Sequence, residues 1–205
     1  MPTPGDPLAA ACGSAPQSSG QTGVTGAWLV QPGGVAGYRA HEKWEDITIP
    51  HEAVARTERV AGWATLTQGT GITLDRACFA VELATLTSED QVPGRNMADR
   101  DENARGFLNT TSHPFAVFRA NGVTLISGQA NGSRAHVSVS GQLEINGVPR
   151  PAALSVDVAL TASQLNVVGS TGIVSTDYGL ELPTIGDFVA VDPHITVEFS
   201  VSMQR

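Results

Sequence analysis

The sequence predicts an all-β protein, an antiparallel β-barrel with one short helical segment in a connection. The first observation is a regular alternation of apolar and polar residues late in the chain, for example at Val137, Val139 and Leu143, which is typical of half-buried antiparallel strands. The second is Asn146-Gly147 between two such runs, a pair that favours a tight hairpin. An extensive sheet exposes its edges unless it closes or pairs face to face. About eight strands would leave room inside a closed barrel for one small ligand.

Four strands are predicted before the helical segment. Turn signals such as Pro32-Gly33-Gly34 separate them. In the fourth strand the apolar side chains change from even to odd positions between Leu74 and Phe79. A β-bulge near residues 75–77 would produce this change and help the sheet to curve toward closure. The predicted strands extend over residues 26–30, 35–44, 60–68 and 72–86.

The helical segment is predicted within the stretch from Val81 to Phe118. A polar loop leads into a charged segment around residues 99–101, and an apolar pair follows at residues 107–108. Another strand begins near Phe115. A closed sheet with one helical lid is a suitable container for an apolar molecule.

The remaining chain is predicted to return to strands. Within each run the apolar residues share one face, as expected for strands with one buried side. Asp192-Pro193 interrupts the last of these runs. The runs extend over residues 137–145, 154–160, 165–167, 189–191 and 195–203.

Composition argues against several classes of function. The chain has 205 residues, with 12 Lys and Arg against 20 Asp and Glu, a formal net charge of −8 and no basic cluster. Because nucleic acids and anionic lipid surfaces are bound through clustered positive charge, we expect no nucleic-acid partner. The length suits a single domain with a substantial core, and no apolar run is long enough to span a bilayer.

Residues 1–25 are predicted to form a disordered tail, and residues 26–205 the barrel domain. The tail is rich in Pro, Gly, Ala, Ser, Thr and Gln, so it cannot bury enough surface to offset the entropy cost of ordering. Leu8-Ala9-Ala10-Ala11-Cys12 looks like the cleavage site of a bacterial lipoprotein, whose cysteine carries a lipid. No charged or apolar leader precedes it, so two interpretations stay open: a membrane tether through Cys12, and a flexible tail with an incidental cysteine.

The chain contains two cysteines, Cys12 in this tail and Cys78 in a predicted strand. We expect no disulfide between a flexible tail and a barrel wall, and Cys78 is predicted to be a small buried apolar residue. Two cysteines this far apart form no metal framework, and no bound metal is expected.

Four segments form a series whose order and spacing are informative. They are Gly26-Ala27-Trp28 with Val35–Tyr38; residues 81–118, with Arg100-Asp101-Glu102 and His113–Phe118; the hairpin at residues 141–151; and Ser175–Leu180 with a strand at residues 189–192. This series resembles the YceI-like family of polyisoprenoid-binding, lipocalin-like proteins. Residues 40–59 and 121–134 depart from the family's pattern, and both segments could reshape the mouth of a cavity.

The resemblance implies a lipocalin-like barrel with an elongated apolar tunnel that binds polyisoprenoids, isoprenoid quinones or other long lipids. It also implies a bacterial periplasmic or secreted protein and is compatible with a homodimer. A bound lipid is the ligand expected, with no other cofactor. The candidates for the tunnel lining are bulky or aromatic side chains, and each could instead belong to an ordinary core: Trp28, Tyr38, Trp63, Phe79, Val81, Phe107, Phe115, Phe118, Val137, Val139, Leu154, Val156, Phe199 and Val201.

Arg100 and Asp101 have two interpretations. Arg100 could hold a ligand headgroup at the tunnel mouth, since its fork of donors suits carboxylates and carbonyls. Alternatively, the two residues could fasten the helical segment to the barrel rim, and Asp101 would then also interact favourably with the helix dipole. We favour the structural interpretation.

Two other classes of function are considered. One is a structural or partner-binding β domain whose interior is filled with its own side chains. The other is a hydrolase-type enzyme using clustered carboxylates, or His41 and His51 with Glu42 or Glu52. No nucleophile elbow or phosphate-binding loop is present, so no catalytic residue is predicted. A continuous cavity would favour ligand binding over both alternatives.

Overall fold

A computed structural model describes residues 6–16, 23–127, 130–183 and 189–205. It contains two α-helices, α1 (Pro7–Ala10) and α2 (Met97–Phe107), with single 3₁₀ turns at Leu83–Thr85 and Ser175–Tyr178. The described strands are β1 (Gly26–Val30), β2 (Val35–Trp44), β3 (His51–Thr57), β4 (Val60–Gln68), β5 (Gly71–Glu82), β6 (Thr87–Ser88), β7 (Phe115–Ser127), β8 (Arg134–Ile145), β9 (Val148–Leu160), β10 (Leu165–Val174) and β11 (Val189–Gln204).

Eight of these strands close into an antiparallel barrel in the order β1-β4-β5-β7-β8-β9-β10-β11. The ring is completed where β11 returns to β1, with Leu29 opposite Gln204 and Val30 opposite Met203. Closure satisfies the backbone groups that would otherwise be exposed at two sheet edges. The predicted all-β barrel with one short helix in a connection is confirmed.

The long strand β11 changes partners along its length. Its last residues pair with β1, whereas residues Val189 to Ser200 pair with β2. From β2 the sheet continues to β3 and then to the two-residue strand β6. The strands on either side of β11 therefore diverge at this end of the barrel, which we call the open end. The helix α2 lies beside β6.

Two local features of the strands match the sequence analysis. Asp75 is the extra residue of a β-bulge, because Thr65 lies opposite Arg76 and Leu66 lies opposite Leu74. This bulge explains the change of apolar parity in β5. Asn146 and Gly147 join β8 to β9 with φ angles of 51° and 71°, the left-handed conformation that a type I′ hairpin turn requires.

The end of the barrel opposite the open end is filled with side chains, and we call it the packed end. Trp28, Ile72, Leu160 and Met203 each have 0% of their surface exposed there. They belong to one apolar cluster that includes side chains from β1, β4, β5 and β7 to β11. The predicted elongated tunnel therefore does not run the whole length of the described barrel.

Residues 6–16, predicted to be disordered, have a defined place on the outer face of the barrel. We call them the strap. Leu8 of α1 is 2% exposed and packs with Ala61, Cys78 and Val117. Residues 1–5 and 17–22 of the predicted tail lie outside the described residues.

Cys12 and Cys78 form a disulfide, with their Cα atoms 5.5 Å apart. The expectation of no disulfide is therefore wrong, because the strap docks on β4, β5 and β7 and carries Cys12 to the wall. The indole of Trp63 donates a hydrogen bond to the Cys12 carbonyl at 3.3 Å. A lipid at Cys12 would need the sulfur atom that this bond occupies, so lipidation at Cys12 is incompatible with the structure.

No helix in the described part of the chain is long and apolar enough to cross a membrane.

Candidate ligand cavity at the open end of the barrel

The open end encloses a cavity of about 920 Å³. This volume lies near the top of the range of roughly 300–1,000 Å³ that is typical of small-molecule sites. The lining is mostly apolar and comes from the diverging strands, α2 and the segment before β11. Its apolar members include Tyr38, Ala40 and Trp44 of β2, Val81 of β5, Phe107 of α2, Leu143 and Ile145 of β8, Ile173 of β10, Leu182, and Ile195 and Val197 of β11.

Three phenylalanines lie between the cavity and the packed end, and we call them the phenylalanine layer. Phe79 follows Ala77 of the core cluster along the inner face of β5 and precedes Val81 of the cavity. Phe199 has the same intermediate position on β11, and the two rings stack with centroids 6.1 Å apart. Phe118 is the register partner of Phe79. This layer limits the depth that a ligand can reach.

Glycines of neighbouring strands make room for these rings. A Cβ atom at Gly169 would lie 2.7 Å from Cζ of Phe199, and one at Gly141 would lie 2.7 Å from Cζ of Phe118. Real Cβ atoms do not approach other heavy atoms so closely, so a larger residue at either position would displace the ring. The Phe–Gly neighbours therefore fix the position of the layer.

The predicted lining residues occupy four different places. Tyr38, Val81 and Phe107 line the cavity. Phe79, Phe118 and Phe199 form the phenylalanine layer. Two of the predicted residues, Trp63 and Phe115, pack on the outer face beneath the strap. The others lie in or against the core cluster of the packed end: Trp28, Val137, Val139, Leu154, Val156 and Val201.

Replacing Phe79 with alanine should lengthen the chain that fits best in the cavity, because it removes part of the layer. We expect wild-type protein to show a sharp loss of affinity beyond one chain length in a series of linear or isoprenoid alcohols. The Phe79→Ala variant should move that limit to longer chains. Leu160→Ala is the control, since it creates a void in the packed end far from the cavity and should leave the limit unchanged. An identical limit in wild-type protein and Phe79→Ala would contradict this role of the layer.

Arg100 of α2 forms the centre of a group of charged side chains beside the cavity, which we call the polar cluster. One guanidinium nitrogen lies 3.1 Å from Glu42 Oε1, and another lies 2.8 Å from Asp90 Oδ2. His51 Nε2 is 2.6 Å from the same Asp90 oxygen. The side chains of Arg100, Glu42 and Asp90 are 12%, 8% and 11% exposed, so these ion pairs are well shielded from water.

Several hydrogen bonds hold the polar cluster in place. The Trp44 indole donates to Glu42 at 3.2 Å, and the Val54 amide donates to Asp90 at 2.8 Å. Burial alone would raise the pKa of the Asp90 carboxyl, but hydrogen bonds from His51, the Val54 amide and Arg100 outweigh it, so this pKa is lowered. Asp90 therefore stays ionised at neutral pH.

Asp101 has a separate, structural contact. Its carboxylate accepts hydrogen bonds from the amide and the hydroxyl of Ser88, at 3.0 and 2.5 Å. These bonds fasten α2 to β6, and the Asn96 side chain caps the start of the helix by accepting from the Ala98 amide at 3.1 Å. Arg100 lines the cavity from this helix, whereas Asp101 faces β6.

The cavity lining also includes a tyrosine of β2, the strand that carries Glu42. Tyr38 lines the cavity on β2, and burial raises its pKa to about 12, with Arg100 opposing the shift. The hydroxyl is therefore protonated over the physiological range and can donate a hydrogen bond. Within the described residues no side chain or backbone group is hydrogen-bonded to it.

The family of the chain follows from a match that includes most of the cavity lining, from Ala40 to Val197. A model of the YceI-like domain matches residues 39–203. The protein belongs to the YceI-like family. Comparison with curated protein sequences gives no match.

Two of the solved structures that are similar to this YceI-like chain are informative about its fold. A polyisoprenoid-binding domain from Saccharophagus degradans implicated in plant cell wall breakdown has a TM-score of 0.65 and 18% identity, over 88% of this chain and 98% of that domain. BcnA from Burkholderia cenocepacia has a TM-score of 0.53 and 15% identity, over 80% and 95% of the two chains. At these identities the likeness shows a shared fold.

The histidines and glutamates considered for catalysis in this YceI-like chain lie on both faces of the β2–β3 hairpin. In the β2–β3 hairpin Glu42 lies opposite His51, and His41 opposite Glu52, so the two His–Glu pairs face opposite sides of the sheet. Glu89 pairs with Arg56 at 3.1 Å. Within the described residues, no group of three or more His, Cys, Asp or Glu side chains is arranged to hold a metal ion.

An unpredicted contact chain lies on the outer wall. Ser155 Oγ is 3.3 Å from His136 Nε2, and His136 Nδ1 is 3.0 Å from Asp157 Oδ1. The order resembles a hydrolase triad, but the His136 and Asp157 side chains are 68% and 41% exposed. Strand β9 pairs with β8 and β10 on both sides of Ser155, so the ladder uses the amides that an oxyanion hole would need. This contact therefore gives no support to a hydrolase.

Proposed function

We propose that this YceI-like protein binds one molecule of a long-chain apolar compound, an isoprenoid or a similar lipid, and stores or carries it outside the cytoplasm. The observation that carries the proposal is the cavity of about 920 Å³ with its largely apolar lining. A filled structural domain would have no such cavity at the open end. The charged groups beside the cavity pair with one another, which favours a binding role over catalysis.

The energetics of burial favour a long chain over a short one. Moving each methylene out of water gains about 0.8 kcal/mol, so ten methylenes gain roughly 8 kcal/mol. Association itself costs about 4–15 kcal/mol in lost freedom. Tight binding through apolar contact alone therefore needs a chain longer than about ten carbons, and a cavity of this volume suits such a chain.

The disulfide between Cys12 and Cys78 supports the proposed compartment. Disulfides persist in the periplasm and outside the cell, whereas cytosolic thiols are kept reduced. A carrier of apolar molecules is useful in these aqueous compartments, because the cavity shields the ligand from water.

The direct test is to purify the protein under non-denaturing conditions, extract it with organic solvent and identify the extracted compounds by mass spectrometry. We expect one class of long-chain lipid at close to one molecule per protein. Absence of such a lipid, together with failure of the stripped protein to bind any long-chain alcohol, quinone or fatty acid, would overturn the proposed function.

Filling the cavity with a large side chain should abolish this binding. Ala104 of α2 lines the cavity, and we expect Ala104→Trp to reduce lipid retention at least tenfold with little change in folding, because the new ring occupies ligand space. The matched control is Ala98→Trp on the same helix, at an exposed position away from the cavity. Lipid measured by mass spectrometry after purification distinguishes the two variants, and equal retention would place the site elsewhere.

A further inference from the structure

We propose that the ligand of this cavity carries a neutral headgroup with a hydrogen-bond acceptor, such as a hydroxyl, ether or carbonyl oxygen, and that the polar cluster excludes carboxylate and phosphate headgroups. This inference rests on the proposed function and narrows it to a chemical class. It depends on the charge balance around Arg100, on the other charged residues of the lining and on the hydroxyl of Tyr38, which has no hydrogen-bond partner among the described residues.

The positive charge of Arg100 is already neutralised by carboxylates of the protein. Its guanidinium is already paired with two carboxylates, Glu42 at 3.1 Å and Asp90 at 2.8 Å, and also donates to the Ser88 hydroxyl at 3.0 Å. With His51 neutral, the polar cluster has a net charge of −1. With His51 protonated it is neutral, so neither state of His51 makes the cluster positive.

The other charged residues of the lining do not change this balance. Asp99 and Glu181 add negative charge, and Arg95 is paired with Asp46 at 2.6 Å. An anionic headgroup would lose its hydration on entering the cavity and would meet a negative potential there. Both the lost hydration and the electrostatic repulsion therefore make the binding of an anion unfavourable.

Tyr38 provides the group that a neutral headgroup can use. Tyr38 lines the cavity, and its pKa, raised to about 12 by burial, keeps the hydroxyl proton in place as a donor. A donor without a partner in an apolar cavity is unfavourable until an acceptor arrives. A ligand oxygen close to Tyr38 would satisfy it, with the apolar chain extending toward the phenylalanine layer.

The test uses ligands that share one chain and differ only in the headgroup. Delipidated wild-type protein is incubated with equal amounts of farnesol, farnesyl methyl ether and farnesyl diphosphate, then separated from free ligand and analysed by mass spectrometry. We expect retention of the alcohol and the ether, and at least about a hundredfold less diphosphate. Equal or greater retention of the diphosphate would overturn the inference and leave the proposed function intact. Retention of none of the three would overturn the inference, and failure to bind any longer alcohol, quinone or fatty acid would overturn the proposed function as well.

Two variants test which residues cause the selectivity for neutral headgroups. Glu42→Gln removes one of the carboxylates that neutralise Arg100, so it should raise diphosphate retention about tenfold relative to farnesol. Glu144→Gln is the control, because Glu144 pairs with Arg119 on the outer wall, at 3.4 Å, and its loss should not change the ratio. Tyr38→Phe should lower retention of farnesol relative to the hydrocarbon farnesene by about two- to tenfold. Unchanged ratios in both cavity variants would contradict the assigned roles.

Discussion

Replacing Arg100 with methionine is expected to lower the free energy of unfolding by about 3–5 kcal/mol. The variant leaves Glu42 and Asp90 side by side with only 8% and 11% of their side chains exposed and without a cation between them. Desolvated like charges repel, and each carboxylate has lost its ion pair with Arg100. Urea-induced unfolding followed by tryptophan fluorescence measures the change.

The matched control is Arg39→Met on the outer face of β2. Arg39 also pairs with two carboxylates, Glu52 at 2.8 Å and Glu198 at 3.1 Å, but its side chain is 37% exposed. Exposed ion pairs contribute about 0–1 kcal/mol, so this variant should be nearly as stable as wild type. Similar losses in the two variants would show that shielding of the polar cluster is not what makes Arg100 important.

The stability of the Arg100→Met variant is also expected to depend on pH differently from that of wild type. The pKa of Asp90 is lowered in the folded protein, so its contribution to stability is present above its unfolded-state pKa of about 3.9. That contribution is lost as the pH falls through the lower folded-state pKa. In Arg100→Met the pKa of Asp90 should rise, and protonation should then relieve the repulsion. We therefore expect the difference in stability between wild type and Arg100→Met to shrink between neutral pH and pH 4, and a constant difference would argue against this account.

The strands of the closed ring, the bulge and the helix were predictable because each depends on local patterns. The strands β3 and β6 were not predicted, since they lie outside the runs of regular alternation. The alternation in β8 and β9 sets which side chains face inward, and the turn at Asn146-Gly147 sets the register between them. The change of parity around Asp75 predicted the bulge, since an extra residue moves all later side chains to the opposite face. None of these inferences needed contacts between distant parts of the chain.

The division of the interior into a cavity and a packed end was not predictable in this way. Alternation indicates that the side chains of Val81 and Val156 both face inward. It does not indicate at which height along the barrel axis each side chain lies, so both were candidates for the lining. The height follows from the register around the whole ring. The partner change of β11 from β1 to β2 creates the open end, and it depends on residues far apart in sequence.

The polar cluster illustrates the same limit. The sequence around Arg100 identifies it as a candidate, but no local pattern identifies Glu42 and Asp90 as its partners. The β2–β3 hairpin places Glu42 and His51 opposite each other, and Asp90 then reaches both His51 and Arg100. Tyr38 and Glu42 both lie at even positions of β2 and therefore on the same face of the strand. This pattern indicates a polar group on an otherwise apolar wall.

Removing the disulfide with the double variant Cys12→Ala/Cys78→Ala is expected to lower the free energy of unfolding by about 4 kcal/mol. The bond links residues separated by 66 positions, and it restricts the unfolded chain more than the folded one. Unfolding in urea, with and without reductant, measures the effect, and reductant should act on wild type alone.

A second variant separates the bond from the contacts of the strap. Leu8→Ala keeps the disulfide but removes a side chain that is 2% exposed, and we expect a smaller loss of about 2 kcal/mol. Because the strap packs on the outer face of the wall, with Ala61, Cys78 and Val117, ligand retention in the cavity should be unchanged in both variants. If the double variant unfolded at the same urea concentration as wild type, the disulfide would not be stabilising the barrel. If ligand retention fell together with stability, the outer strap and the inner cavity would be coupled through β5, whose Cys78 faces the strap and whose Val81 lines the cavity.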